Sequence, residues 1–138
     1  MAWFKNTNGL GNFSTPYSIS STGLALVTSF DIADADGDGD NDVVVTSSLT
    51  DQYMKAGLFI NTNGQGNFGP FQLLRNETPE TNYSILTRVL FQDLDADGDN
   101  DILFSANNRI ITLKNSGTGN YNEATIIHSS YLRDRIID

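Results

Sequence analysis

NTNGLGNF (Asn6–Phe13) recurs as NTNGQGNF (Asn61–Phe68) and again, one residue shorter, as NSGTGNY (Asn115–Tyr121). Asparagine and glycine both tolerate positive φ, so Asn-Gly between two apolar runs marks a hairpin turn. The copies lie 55 and 53 residues apart, counted from Phe13 to Phe68 and from Phe68 to Tyr121. A second motif alternates with them: DADGDGDND (Asp34–Asp42) and DLDADGDND (Asp93–Asp101), whose last aspartates are 59 residues apart. The chain is thus built from one unit of about 55–60 residues.

Within a unit the pattern predicts strands. Leu24–Ala33 and Ser84–Gln92 are apolar and β-branched and lead into the acidic loops; Asp42–Ser47 and Asp101–Ala106 leave them. Gly57–Ile60 and Arg109–Leu113 follow, and beyond the Gly/Asn turns come Phe68–Arg75 and Tyr121–Ser129. None carries a sustained 3.6-residue apolar period, so short strands joined by turns are predicted throughout. Four strands per unit at this period predict an all-β fold of propeller blades. Residues 1–20 supply the outer two strands of a first blade, the opening Trp3-Phe4-Lys5 matching Leu58-Phe59-Ile60. Residues 21–78 form a complete blade with its acidic loop at 34–42, and 79–131 another with its loop at 93–101. Residues 132–138 begin a further blade, with Asp138 placed to open a third loop. The expectation is a partial β-propeller: half a blade, two complete four-stranded blades and the start of another, an excerpt of a longer ring.

The 138 residues carry a formal charge of −9, from 17 acids against 8 bases. That balance argues against nucleic acid or an anionic membrane as partner, since both need a basic face. Without cysteine there are no disulfides, zinc–thiolate sites or thiol nucleophiles, and a single histidine, His128, makes a histidine-centred metal site or triad unexpected. No apolar run approaches the roughly 18–20 residues of a membrane span. The opening MAWFKN lacks the charged and apolar regions of a signal peptide. The acids are concentrated: the two loops hold ten of the 17, leaving seven against the eight bases elsewhere. Each loop also runs straight into an apolar segment, Val43-Val44-Val45 or Ile102-Leu103-Phe104, unlike a solvated charge run.

Aligned on their last residue, both loops have aspartate at positions 1, 3, 5, 7 and 9 and glycine (Gly39, Gly98) at position 6. Alternate carboxylates on a tight loop converge on one point, and glycine permits the reversal. Two carboxylates about 5 Å apart repel by roughly 3 kcal/mol at an effective dielectric of about 20, a penalty that a hard divalent cation removes. An all-oxygen donor set suits Ca²⁺ better than zinc or copper, and better than Mg²⁺ with its strict octahedron. An EF-hand is rejected, because position 12 is Val45 or Phe104 instead of glutamate and strands flank each loop. The tandem GGxGxD units of a parallel β-helix calcium repeat are absent.

The loop D-x-D-x-D-G-x-x-D between two apolar strands, followed by an N-x-x-G-x-G-N-F turn, resembles the FG-GAP/VCBS repeats of integrin-α-like calcium-binding β-propellers. The resemblance covers nearly the whole chain. It implies two Ca²⁺ sites. One uses the side chains of Asp34, Asp36, Asp38 and Asp42 with the backbone carbonyl of Asp40; the other uses Asp93, Asp95, Asp97 and Asp101 with the carbonyl of Asp99. The last aspartate of each set is expected to be bidentate, and Asp31, outside this frame, to face solvent. Such propellers close rings of about seven blades. The remaining blades of a longer parent chain, or self-association of copies, are therefore expected to cover the outer faces.

Trp3, Phe59, Phe13, Phe68 and Tyr121 flank the turns in every unit and are expected to pack between blades, not to stack on ligands. His128 is expected to be packed or at the surface, with no catalytic part. Asp93 and Asp95 resemble a glycosidase pair formally, but the same residues serve as metal ligands and recur, whereas an active site normally appears once. The unrepeated stretches Ser48–Ala56 and Arg75–Asn82 are the candidates for specific recognition. The expected function is a calcium-stabilised, non-catalytic extracellular or cell-surface binding or adhesion module with a protein or glycan ligand. The alternative is an accessory module, carbohydrate-binding or spacer, of a larger secreted enzyme.

Overall fold

Apolar side chains at a period of two, interrupted by Gly/Asn turns, favour strands over helix along this whole chain. The computed structural model describes residues 1–19, 24–50, 53–77, 86–106 and 109–128, and every regular element among them is a strand. In chain order these are β1 (Ala2–Trp3), β2 (Tyr17–Ser18), β3 (Leu26–Ala33), β4 (Asp42–Thr50) and β5 (Tyr53–Phe59). They are followed by β6 (Gln72–Glu77), β7 (Leu86–Gln92), β8 (Asp101–Ala106), β9 (Arg109–Asn115) and β10 (Tyr121–His128). All pairings are antiparallel: β1–β2 form a two-stranded sheet, β3-β4-β5-β6 one four-stranded meander, and β7-β8-β9-β10 a second.

The two meanders repeat one another down to an irregularity. Ala33 opposes Asp42 as Gln92 opposes Asp101, and the pairing slips between Val27 and Ser29 as it does between Leu86 and Arg88. A bulge at the same place in both copies is a built feature of the unit.

The β3–β6 sheet is the middle layer. Val44, Ala56 and Leu58 on one face join Val89, Ile102, Phe104, Ile111 and Leu113 of the second meander in one core cluster. Val43, Val45 and Phe59 on the other face pack with Ile19 and, partly buried, Met1, Trp3, Phe68 and Phe71. That is why β4 carries three apolar residues in succession: both of its faces are covered. β3 and β7, an edge strand of each sheet, meet at the inter-sheet boundary without backbone pairing. Side chains bridge it instead, with Ser29 Oγ accepting from the Val89 amide (3.2 Å) and Asp31 Oδ2 from the Phe91 amide (2.8 Å).

Several expectations need correcting here. The stretch Ser48–Ala56, expected to be a loop, is mostly strand: β4 runs to Thr50, β5 starts at Tyr53, and these two residues oppose each other. Polar residues extend the ladder where apolarity alone suggested an end, Ser48 pairing with Met54 and Thr50 with Tyr53. Phe68 makes only an isolated bridge to Asn61, and the strand expected from it begins at Gln72. Of the turn-flanking aromatics, Phe59 and Tyr121 are buried, and Trp3 stacks on Tyr17 with ring centroids 4.7 Å apart, but Phe13 is 63% exposed. Phe13 lies on the turn between β1 and β2, held there by an isolated bridge to Asn6. Within the irregular stretch Arg75–Asn82, residues 75–77 end β6 and the rest lies outside the described residues, as do Leu132–Asp138 and the His128 side chain.

Candidate metal centres

Each acidic loop is the connection between the first two strands of a meander, and its last aspartate is the first residue of the second strand. Burial in the adjoining core therefore fixes Asp42 and Asp101, which are 0% and 1% exposed. Both carboxylates are fully engaged with backbone amides. Asp42 accepts from Ala35 at Oδ2 (2.8 Å) and from Asn61 at Oδ1 (2.7 Å). Asp101 accepts from Leu94 at Oδ2 (2.9 Å) and from Asn115 at Oδ1 (2.7 Å). One residue thus ties the loop's start to the following Gly/Asn turn in each unit. Each oxygen keeps a second lone pair.

The first aspartates close the loops from the other side. Asp34 accepts from Gly37 (2.7 Å) and Gly39 (2.9 Å), and Asp93 from Ala96 (2.7 Å) and Gly98 (3.1 Å). Gly39 and Gly98 have φ of 91° and 96°, the left-handed reversal expected at position 6.

The result is two triads. One carboxylate oxygen each from Asp34, Asp36 and Asp42 lies within 4.8 Å of the others, and Asp93, Asp95 and Asp101 repeat the arrangement. Two oxygens bound to one calcium ion at 2.3–2.6 Å are at most about 5 Å apart, so the spacing and the oxygen-only donor set both fit a hard cation. Positions 5 and 7 stand apart from these triads. Asp38 and Asp97 turn Oδ1 back to the amides of Asp40 (2.8 Å) and Asp99 (3.0 Å). The Asp40 and Asp99 side chains reach the turn glycines Gly64 and Gly117 of their own units. Asp31, expected in solvent, is half-buried: Oδ1 accepts from Ile32 (2.9 Å) and Oδ2 from Phe91 across the sheet boundary. A strand-edge amide needs an acceptor, and this side chain supplies it.

Electrostatics follow from that packing. Burial pushes the Asp42 carboxyl above the ordinary carboxylate range, although its two amide donors pull it back. Burial, and then the Asp38 charge, push Asp36 up as well. In the second loop a hydrogen bond from Lys114 holds Asp95 below that range, and the lysine is raised in turn.

Four further residues reach these centres, and of them only Lys114 lies outside the two repeated motifs. Lys114 pairs with Asp95. Asn100 Nδ2 donates to the Asp34 carbonyl (3.0 Å), and Asn115 Nδ2 to that of Ala35 (3.0 Å). The Tyr121 hydroxyl donates to Asn100 O (3.0 Å) and also lies 3.3 Å from Ala35 O; burial, then the charges of Asp42 and Asp101, raise it far above its usual value. The repeated Asn and Tyr/Phe of the turn motif were the available signal, and it reads first as a turn. Comparison of the chain with protein-family models, with curated proteins and with solved structures finds no match.

Proposed function

We propose that this chain is a calcium-stabilised segment of a β-propeller of the FG-GAP/VCBS type, serving as a non-catalytic binding or adhesion module outside the cell. The observation that carries the reading is the recurrence of one carboxylate triad, at loop positions 1, 3 and 9, in two sheets that pack face to face. A chance acidic patch has no reason to recur in register with a bulge and a Gly/Asn turn. Ca²⁺ would be held by Asp34, Asp36 and Asp42 and by Asp93, Asp95 and Asp101, with Asp38, Asp40, Asp97 and Asp99 as the remaining family positions. Its contribution is to neutralise clustered charge and to cross-link the first two strands of each sheet.

The stacking reading has its own support. Phe30 and Ile32 of β3, 60% and 53% exposed, occupy the places that Val89 and Phe91 hold in β7, where the neighbouring sheet covers them. The uncovered strip borders an open cavity of about 820 Å³ lined by Trp3, Ile19, Val27 and Phe68. A further unit of the same kind is the cover this strip fits. Copies of the chain stacked head to tail fit it less well, because Arg88 and Leu90 stand in the second unit where Ser29 and Asp31 supply acceptors in the first.

Thermal melts with calcium and after chelation test the metal reading. At calcium about 100-fold above Kd each of the two sites adds about 2.7 kcal/mol, so chelation is expected to lower Tm by about 10–20 °C. An unchanged melt ends the reading.

A further inference from the structure

The two loops carry the same five aspartates but not the same surroundings. The position just before the turn asparagine is Ile60 in the first unit and Lys114 in the second, aligned by Phe59 opposite Val43 and Leu113 opposite Ile102. Lys114 reaches in from β9, outside the loop. Its Nζ is paired with Oδ2 of Asp95, a member of the second triad, and lies 3.9 Å from Oδ2 of Asp97. A cationic group is thus seated on the carboxylates of one cluster, while the aliphatic Ile60 brings no charge to the other.

We propose that Lys114 is a tethered competitor for the cation of the second loop, so that the two sites differ in affinity and the first fills at lower calcium. The inference rests on reading both loops as calcium sites. An entering ion must displace the ammonium from Asp95 and then coexist with a like charge on the neighbouring strand β9, whereas the first loop imposes neither cost. The exchange also leaves the metal-free second loop partly neutralised and the first loop the one that responds most to calcium. The module then fills in two steps across a calcium gradient.

Amide resonances of Gly39 and Gly98, which donate to the first aspartate of their own loops, report each site separately in a calcium titration of the full chain. The Gly39 midpoint is expected about five- to tenfold below that of Gly98. Lys114→Met should bring the Gly98 midpoint down to within about twofold of Gly39, and Ile60→Lys should raise the Gly39 midpoint. Coincident midpoints in the wild type, or a gap that Lys114→Met leaves unchanged, overturn the proposal while the calcium reading stands. Resonances that ignore calcium beyond the roughly millimolar range remove the calcium reading, and this inference with it.

Discussion

Asp42 has two roles that a single substitution confounds, since its carboxylate belongs to a triad and also satisfies two amides, those of Ala35 and Asn61, in a buried setting. The roles separate in the absence of metal. Asp42→Ala leaves both amides without their acceptor and is expected to cost about 2–4 kcal/mol in calcium-free urea denaturation. Asp36→Asn removes only a crowded charge. It should unfold within about 0.5 kcal/mol of wild type without calcium, yet lose the calcium response of the first site. If Asp36→Asn keeps that response, Asp36 is not a ligand. A second residue-scale feature distinguishes the loops. Ala96 sits at φ 63°, where the first loop has Gly37 at φ 81°. Left-handed backbone costs an L-residue about 1 kcal/mol or more, offset partly by the greater freedom glycine has when unfolded. Ala96→Gly should therefore stabilise the protein by roughly 0.5 kcal/mol in equilibrium unfolding, with no effect at Gly37's site.

At the scale of elements, the boundary between the two meanders depends on side chains that meet strand-edge amides. Asp31 accepts from Ile32 on its own strand and from Phe91 on the next sheet. Asp31→Ala should cost about 1–2 kcal/mol of stability while leaving the calcium midpoints where they were. A shifted midpoint would instead make Asp31 part of the metal site. This contact marks what the sequence conceals. Alternation, Asn-Gly turns and the acid-rich loops are local signals, and they announce eight of the strands' cores and the two acidic loops; which three carboxylates of each loop come together is set by the fold. The role of Asp31 depends on a residue 60 positions away, and nothing near it in sequence distinguishes it from a solvated charge at the end of a strand. Lys114 is hidden for the same reason: it is 19 residues from Asp95, and only the β8–β9 pairing brings it back to the loop. The strand end at Ser48–Thr50 is hidden because polar residues there complete a ladder already fixed by the apolar pairs Val43–Phe59 and Val44–Leu58.

For the whole molecule, the raised carboxyls make stability depend on pH, with a sign that calcium is expected to reverse if it binds as proposed. Asp36 and Asp42 lie above their ordinary value of 3.8, chiefly through burial, so in the metal-free protein the folded state binds more protons than the unfolded one over the interval above it. Their contribution is complete below about pH 3.8 and is lost as pH rises through the folded values. The net charge of −9, which grows repulsive as other acids ionise, works in the same direction. Asp95 opposes them: held low by Lys114, its contribution is present above the ordinary value and lost as pH falls, but it is exposed and screened. Once calcium is bound, the triads must be ionised in the folded state, so folding now releases protons over the same interval and stability rises with pH. Melts from about pH 4 to about pH 7 should then slope downward in calcium-free buffer and upward at saturating calcium. Parallel slopes in the two buffers would mean that these carboxylates are not the groups the cation neutralises. The triads would then be left as charged loop scaffolds, with Asp42 and Asp101 retained for their amide donors alone.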